Sequence, residues 1–303
     1  MPYRIRPGRA FGEEVRSIAV EQLQLAIAAF EEQPKGLHEA IHEARKKFKR
    51  VRSLYRLIAL DKPDFRATEN ARLQETARTL SLVRDATALI ETVSYLETHA
   101  LNDDERRALV HAREKLTERR DELALTETNL PQKAHAAVES CRDAITAVEG
   151  ADFPQSARKT ARLLAKGWKK SLTRGRKALV ACHGGAHAEL FHELRKAGQA
   201  YWMNLALLRD IWPSAMKAKR AEAGNLVTLL GHEHDLALLV DLLDREPATL
   251  GDGEEVSHLI SAIIRQQQEL RHDALELAER VFADRPAREA SAIEALWSEA
   301  ATG

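Results

Sequence analysis

The sequence predicts an all-α fold, on the evidence of composition, hydrophobic periodicity and the spacing of helix-breaking residues. Hydrophobic residues make up 44% of the 303 residues and charged residues 30%, whereas aromatic residues contribute only 5%. This balance is typical of long amphipathic helices rather than of sandwiches or barrels. Apolar residues recur at helical spacing along nearly the whole chain. We predict helices at roughly 10–32, 37–60, 64–98, 103–125, 131–149, 154–181, 187–211, 214–245, 252–283 and 286–301, and proline or glycine marks most of the turns between them.

A repeat of 150 residues relates the two halves of the chain. The recurring features are a histidine, an acid, an Arg-Lys pair, a proline and an aspartate: His42-Glu43-x-Arg45-Lys46, Pro63 and Asp85 match His192-Glu193-x-Arg195-Lys196, Pro213 and Asp235. Unrelated helices would not keep these residues in register without a gap, so we infer a duplication. The sequence therefore predicts two pseudo-symmetric antiparallel helical bundles, residues 1–150 and 151–303, which together form one domain and face a basic central cleft.

Charge is segregated along the chain, although the formal net charge is zero. Residues 153–188 carry nine Lys and Arg and no acid, and residues 35–56 carry eight Lys and Arg against two acids. The local field, rather than the net charge, decides where an anion docks. Runs of like charge are usually solvated helix faces, but such faces normally mix both signs. An extended ladder of cations therefore predicts an extended, phosphate-rich anion as the ligand.

Three predicted helices supply the candidate anion-binding side chains. In the helix at 37–60 the candidates lie beside the apolar stripe at helical spacing, and they are His42, Arg45, Lys46, Lys49, Arg52 and Arg56. The helix at 154–181 contributes Lys166, Lys169, Lys170, Arg174 and Arg176, with Trp168 among them as an expected core anchor. The helix at 187–211 contributes His192, Arg195 and Lys196. Secondary candidates are Arg16, Arg84 and Arg265, together with Asp85 and Asp235 as acids that orient Arg45 and Arg195.

These motifs resemble the CHAD family, the histidine-containing α-helical domain. The resemblance rests on three segments: His42-Glu43-Ala44-Arg45-Lys46-x-x-Lys49-x-x-Arg52, Lys166-Gly167-Trp168 through to Phe191-His192-Glu193-Leu194-Arg195-Lys196, and Leu230-Gly231-x-x-x-Asp235. It implies two pseudo-symmetric helical bundles around a basic cleft, binding of inorganic polyphosphate, and association with polyphosphate granules. In the second half Gln199 and Trp202 stand where the first half has Lys49 and Arg52, so we expect that copy to bind phosphate more weakly.

The histidines predict a pH dependence and raise the question of a metal. Neighbouring cations disfavour protonation of His42 and His192, whereas a bound polyphosphate favours it, so affinity should rise as pH falls through about 6–7. His38 and His42 lie four residues apart, a spacing compatible with a metal, but the surrounding cations oppose one. We therefore expect neither a metal site nor a cofactor. Of His232 and His234, we expect one to be buried or in the cleft and the other to be exposed.

The sequence favours a binding protein over an enzyme. It contains no recognisable group of carboxylates suited to Mg²⁺ and no nucleophile with a base partner. A metal-dependent phosphohydrolase, a nucleic-acid-binding protein and a charged scaffold remain alternatives, although the scarcity of aromatic residues for base stacking disfavours nucleic acid as a partner. No apolar stretch of about 18 residues is present to span a membrane. The two cysteines lie in no metal or redox motif, which favours a cytoplasmic location.

Overall fold

The computed structural model describes residues 3–60, 62–80, 82–246 and 249–301, without the side chains of residues 82–84. Within these ranges the regular elements are eleven α-helices, and the all-α prediction is confirmed. Their bounds are α1 Phe11–Glu32, α2 Leu37–Ile58, α3 Pro63–Thr79, α4 Leu82–Glu97, α5 Asp103–Thr126, α6 Leu130–Glu149, α7 Ala157–His183, α8 Ala188–Leu207, α9 Pro213–Arg245, α10 Gly253–Val281 and α11 Pro286–Ala300. Across the described ranges, no helix is long and apolar enough to cross a membrane.

The prediction of a single helix at 64–98 is wrong, because the chain forms α3 and α4 there. Leu80, which follows the last residue of α3, has φ −104° and ψ 12°. The hydroxyl of Thr79 donates a hydrogen bond of 2.9 Å to the carbonyl of Thr76, a local bond of the kind that competes with helix continuation. The matching stretch of the second half stays helical throughout the 33 residues of α9. Since neither proline nor glycine marks the break, periodicity alone could not locate it.

Apolar packing forms two clusters, and each cluster draws on both halves of the chain. The larger cluster contains buried residues of α1, α2, α6, α7 and α8, and it also buries Ala151 and Phe153 of the segment between the halves. The smaller cluster joins α4 and α5 to the second part of α9 and to α10, through residues such as Val93, Leu109 and Leu239. The hydrophobic packing therefore does not divide at residue 150, and the assignment of one bundle to each half stays a prediction.

Gly167 allows α7 to lie directly against α2. A Cβ atom at Gly167 would come within 2.1 Å of the carbonyl oxygen of Leu57, which is far closer than non-bonded atoms can approach. Glycine is the residue that permits such an approach between two backbones. Because Arg56 precedes the buried Leu57, and Lys170 and Arg174 follow Gly167 at one-turn intervals, this contact brings the basic faces of α2 and α7 together.

We predict that Gly167→Ala destabilises the protein by about 1–3 kcal/mol, because the added methyl group forces α2 and α7 apart. Gly231→Ala is the matched control, since a Cβ atom at Gly231, inside α9, meets no atom within 4 Å. The control should be neutral or stabilising by up to about 1 kcal/mol, because alanine favours helix more than glycine does. Free energies of unfolding from urea titration check both changes, and equal effects of the two substitutions would contradict the close-contact explanation.

Candidate anion-binding site

A cavity of about 570 Å³ lies between α2 and α8, bordered by α3, α4 and α7. Four helices supply its cations, which are Arg45, Lys49, Arg52 and Arg56 of α2, Arg78 of α3, Arg174 of α7, and Arg195 and Lys196 of α8. His192 also lines the cavity, and Asp85 is the one acid among its described lining residues. We call this cavity the cationic pocket. Its lining joins helices from both halves of the chain.

The sequence of α2 explains why its cations reach the pocket together. The buried face of α2 includes Ile41, Ala44 and Phe48, which recur at helical spacing and pack into the larger apolar cluster. The pocket cations of α2 follow the same three- and four-residue spacing one position further along the chain, so they share the adjoining face of the helix. Burial of the apolar face thus fixes the direction in which the cationic face points.

Positive charge accumulates around Arg56. Burial, together with the neighbouring Arg52, Arg174 and Arg66, lowers the pKa of Arg56 to about 10. Burial also lowers the pKa of Arg52, whose Nη2 donates to Gln74 at 3.0 Å and whose Nε is buried without a hydrogen-bond partner among the described atoms. Among the described residues, no carboxylate opposes the lowered pKa of either guanidinium group, and an incoming anion would supply that negative charge.

Acidic residues lie near two of the pocket arginines, Arg45 and Arg195. Arg45 donates from Nη1 to the carbonyl of Ala77 at 2.9 Å, and its Nη2 lies 3.8 Å from Oδ1 of Asp85. Burial lowers the pKa of Arg195, and the nearby carboxylates of Asp235 and Glu233 oppose that shift. Because a guanidinium has five N–H donors, an arginine held in this way keeps donors for a ligand.

The glutamate of each repeated motif pairs with the lysine three residues later. Lys46 forms an ion pair with Glu43, and Lys196 forms one with Glu193. Glu193 also accepts a hydrogen bond of 2.7 Å from Arg174. Lys196 lines the pocket, whereas Lys46 does not. Glu193 therefore orients two cations of the pocket, whereas Glu43 pairs with a lysine that does not line it.

Two histidine rings meet at the α8 side of the pocket. The ring centroids of His192 and His234 lie 4.4 Å apart, and Nδ1 of His192 is buried without a described partner. Burial and the nearby Lys196 and Arg195 lower the pKa of His192, although Glu189 and Glu193 oppose them. Burial lowers the pKa of His234 to about 4, assisted by Arg195, His192, Lys49 and Lys196. Both rings are therefore neutral near pH 7.

The expectation that either His232 or His234 would be exposed is wrong, because both are half-buried. His232 stacks on Tyr95 with ring centroids 4.2 Å apart, while His234 packs against His192. Two residues apart on a helix, the rings point in different directions, but neighbouring helices cover both. Packing of α4 and α8 against α9 accounts for the difference.

The lysines and arginines of α7 that were predicted to bind the anion lie in several different surroundings. Lys170 lines an adjoining cavity of about 240 Å³ together with Arg56, Arg66 and Arg174. Lys166 and Lys169 are exposed on α7 and do not line the pocket. Trp168 is 1% exposed and donates from Nε1 to Glu289 at 2.8 Å, so its predicted role as a core anchor is confirmed. His42 is half-buried on α2, outside the pocket lining.

Three predicted cations lie away from the pocket, and each donates hydrogen bonds to other oxygens of the protein. Arg176 donates to the carbonyls of Ala283 and Asp284, each at 3.1 Å. Arg16 donates to the carbonyl of Ala151 at 2.9 Å. Arg265 donates to Glu105 at 2.7 Å and to the carbonyl of His99 at 3.0 Å. The side chain of Arg84 lies outside the described part of the structure.

Sequence reasoning missed Arg78 and left His234 without a defined role. Arg78 lines the pocket and pairs with Glu75 at 2.6 Å, but it belongs to no repeated motif. His234 directly precedes Asp235, which the repeat had singled out, and that adjacency was the available signal. Among the residues with described side chains, no group of three or more His, Cys, Asp or Glu could hold a metal ion.

The fold and the pocket define an all-α protein with a cation-lined cavity shared between its two halves. The sequence matches the family model of the CHAD domain over residues 21–244, a span that contains every lining residue of the cationic pocket. The chain therefore belongs to the CHAD domain family, as the motif resemblance indicated. A comparison with curated proteins finds no match to this chain.

We predict that anion binding at the pocket takes up protons. An anion beside His192 and His234 raises their pKa values, so affinity should increase as pH falls from neutrality towards about 4, the pKa of His234 in the free protein. Titration calorimetry with inorganic tripolyphosphate in buffers of different ionisation enthalpy measures the proton uptake. His192→Asn/His234→Asn should reduce the uptake, whereas His135→Asn, at an exposed site on α6, should not. Equal uptake by all three proteins would contradict the assignment.

Proposed function

We propose that the protein binds inorganic polyphosphate in the cationic pocket and does so without chemical turnover. The observation that carries the proposal is the convergence of cations from α2, α3 and α7 around Arg56, whose pKa is lowered to about 10 by burial and by three neighbouring arginines. A chain of phosphates supplies many oxygens to such an array, and arginine and lysine are the usual partners of phosphate. Membership of the CHAD family, which is associated with polyphosphate, supports the same ligand.

The proposal includes the duplication and the basic cleft that it creates. Helix starts support it, since α3 begins at Pro63 and α9 at Pro213, while α5 begins at Asp103 and α10 at Gly253, which makes both pairs 150 residues apart. Local contacts support it too, because the pairing of Glu43 with Lys46 recurs as Glu193 with Lys196. Each half thus contributes one motif to the pocket. The two motifs bind one ligand from opposite sides.

The ligand follows an extended path rather than sitting at a single point. Arg56 and Arg174 line both the cationic pocket and the adjoining cavity that contains Lys170. Lys166 lies one turn before Lys170 on α7, so it continues the same helix face. A long chain can contact all of these cations, whereas orthophosphate reaches only a few. Affinity should consequently rise with chain length and fall steeply with salt, as it does for nucleic acids.

We infer a docking role in the cytoplasm, at polyphosphate granules, with no cofactor and no membrane partner. The competing functions make different predictions. A metal-dependent phosphohydrolase would release phosphate from long-chain polyphosphate in the presence of Mg²⁺ or Mn²⁺. A nucleic-acid-binding protein would lose polyphosphate when challenged with excess RNA or DNA. Incubation and competition assays with the full chain distinguish these outcomes from simple binding.

We predict that Arg45→Ala/Lys49→Ala/Arg195→Ala weakens binding of long-chain polyphosphate by about 100-fold or more, because each charge-assisted contact contributes roughly 1.5–3 kcal/mol. The slope of log affinity against log salt should also become shallower by about 2–3, the number of phosphate contacts removed. Fluorescence titration at two salt concentrations, with polyphosphates of defined length, measures both quantities.

Arg107→Ala/Lys115→Ala/Arg120→Ala is the matched control, since it removes the same positive charge from α5. Each of these residues pairs with a local acid, and none lines the pocket. The control should change affinity by less than about threefold, because exposed charges at a distance are largely screened. If the two triple variants lose affinity equally, net charge rather than the pocket determines binding, and the proposal fails.

A further inference from the structure

A second groove lies beside the C-terminal end of α8 and the first turns of α9. Two cavities of about 530 Å³ and 260 Å³ share Trp202, Arg209 and Arg220 among their lining residues. Within the described side chains, Met203 is the one lining residue that these cavities share with the cationic pocket. Sites for small molecules usually measure about 300–1,000 Å³. We call this feature the Trp202 groove.

The Trp202 groove combines apolar surface with cations. Trp202, Pro213 and Met216 form its apolar side, while Arg209, Lys217 and Arg220 add positive charge. Inorganic polyphosphate gains nothing from contact with an indole, a proline ring or a thioether, because every part of it is strongly hydrated. A ligand that suits both parts of the groove must carry an anionic group and a flat apolar group in one molecule.

Arg220 packs over the ring of Trp202. The guanidinium carbon of Arg220 lies 5.3 Å from the centroid of the Trp202 ring, and Nε of Arg220 is buried without a described hydrogen-bond partner. The indole itself rests on α9, since a Cβ atom at Gly224 would lie 3.2 Å from Nε1 of Trp202. Nucleobases stack on aromatic side chains and on arginine planes, and here the indole is held in place.

The charge of the groove favours phosphate. Asp210 is its one acid among the described lining residues, and it is shared between Arg4 at 3.1 Å and Arg209 at 3.9 Å. At the other end of the groove Arg50 lies over the ring of Tyr3, with its guanidinium carbon 5.7 Å from the ring centroid. The single carboxylate of Asp210 is therefore shared by two arginines. Lys217, Arg220 and Arg50 add further positive charge, so the groove is cationic.

The residues around Trp202 have no equivalent at the matching positions of the first half. Under the proposed duplication Trp202 occupies the place of Arg52, and three cations, Arg209, Lys217 and Arg220, stand where the first half has Ala59, Ala67 and Asn70. A phosphate-binding position has thus become an aromatic one, with new cations around it. Divergence of this kind indicates a ligand that differs from the one bound by the shared motifs.

We propose that the Trp202 groove binds a nucleoside triphosphate, with the base stacked against Trp202 and Arg220 and the phosphates near Arg209 and Lys217. The site is independent of the cationic pocket, because the two have no cation in common. Such a site would let a phosphorylated nucleotide and a polyphosphate chain occupy the same molecule at once.

Calorimetric titration tests the proposal in the full chain carrying Arg45→Ala/Lys49→Ala/Arg195→Ala, which removes three cations of the cationic pocket. Metal-free ATP should bind at least about tenfold more tightly than inorganic tripolyphosphate, since only ATP has a base to stack. Adding Arg220→Gln should weaken ATP binding about tenfold or more, whereas Arg288→Gln, an exposed site on α11, should not. Trp202→Leu should abolish the preference for ATP over tripolyphosphate.

Two outcomes would overturn the proposal without affecting the assignment of the cationic pocket. Equal affinity for ATP and tripolyphosphate would show that the base makes no contact. Loss of ATP binding in the triple variant, relative to the unmodified chain, would place ATP in the cationic pocket instead. In the unmodified chain, Arg220→Gln should leave the affinity for long-chain polyphosphate unchanged, and a large loss there would refute the independence of the two sites.

Discussion

At Gly167 the backbone of α7 lies against the carbonyl of Leu57 in α2, with no space for a side chain between the two helices. This contact fixes the positions of the residues beside it, namely Arg56 on α2 and Lys170 and Arg174 on α7. Hydrogen bonds to α11 support this contact, because Glu289 accepts from Trp168 at 2.8 Å and from Tyr201 at 3.3 Å. Apolar and polar packing together therefore set the spacing of the pocket cations.

This packing brings arginines together, and nearby carboxylates only partly offset the cost in desolvation and charge repulsion. Carboxylates are present, and Asp85, Glu43 and Glu193 pair with Arg45, Lys46 and Lys196. Glu193 also pairs with Arg174, but no described carboxylate opposes the lowered pKa of Arg52 or Arg56. A ligand with closely spaced phosphates would offset the desolvation and repulsion that lower the pKa of Arg56. The proposed preference for extended anions would therefore follow from helix packing that exists before a ligand binds.

Much of the fold and the core of the candidate site could be predicted from the sequence, because helical periodicity shows which residues share a face. The ridge of Arg45, Lys49, Arg52 and Arg56 is the clearest case. Periodicity does not show what covers a face, so Arg265, which pairs with Glu105 from 160 residues earlier, was wrongly expected near the cleft. Arg176 was misplaced for the same reason, since its acceptors at the end of α10 are distant in sequence. The break between α3 and α4 carried no proline or glycine to reveal it.

The mixed composition of the smaller apolar cluster has a consequence for how the chain can be divided. Val93 of α4 and Leu109 of α5 are buried against α9 and α10. A fragment that ends near residue 150 therefore keeps the apolar faces of α4 and α5 but lacks the helices that bury them. An isolated first half could bury these apolar faces only against another molecule, as in a domain-swapped dimer. Joining two halves in one polypeptide makes that exchange intramolecular and removes its dependence on concentration.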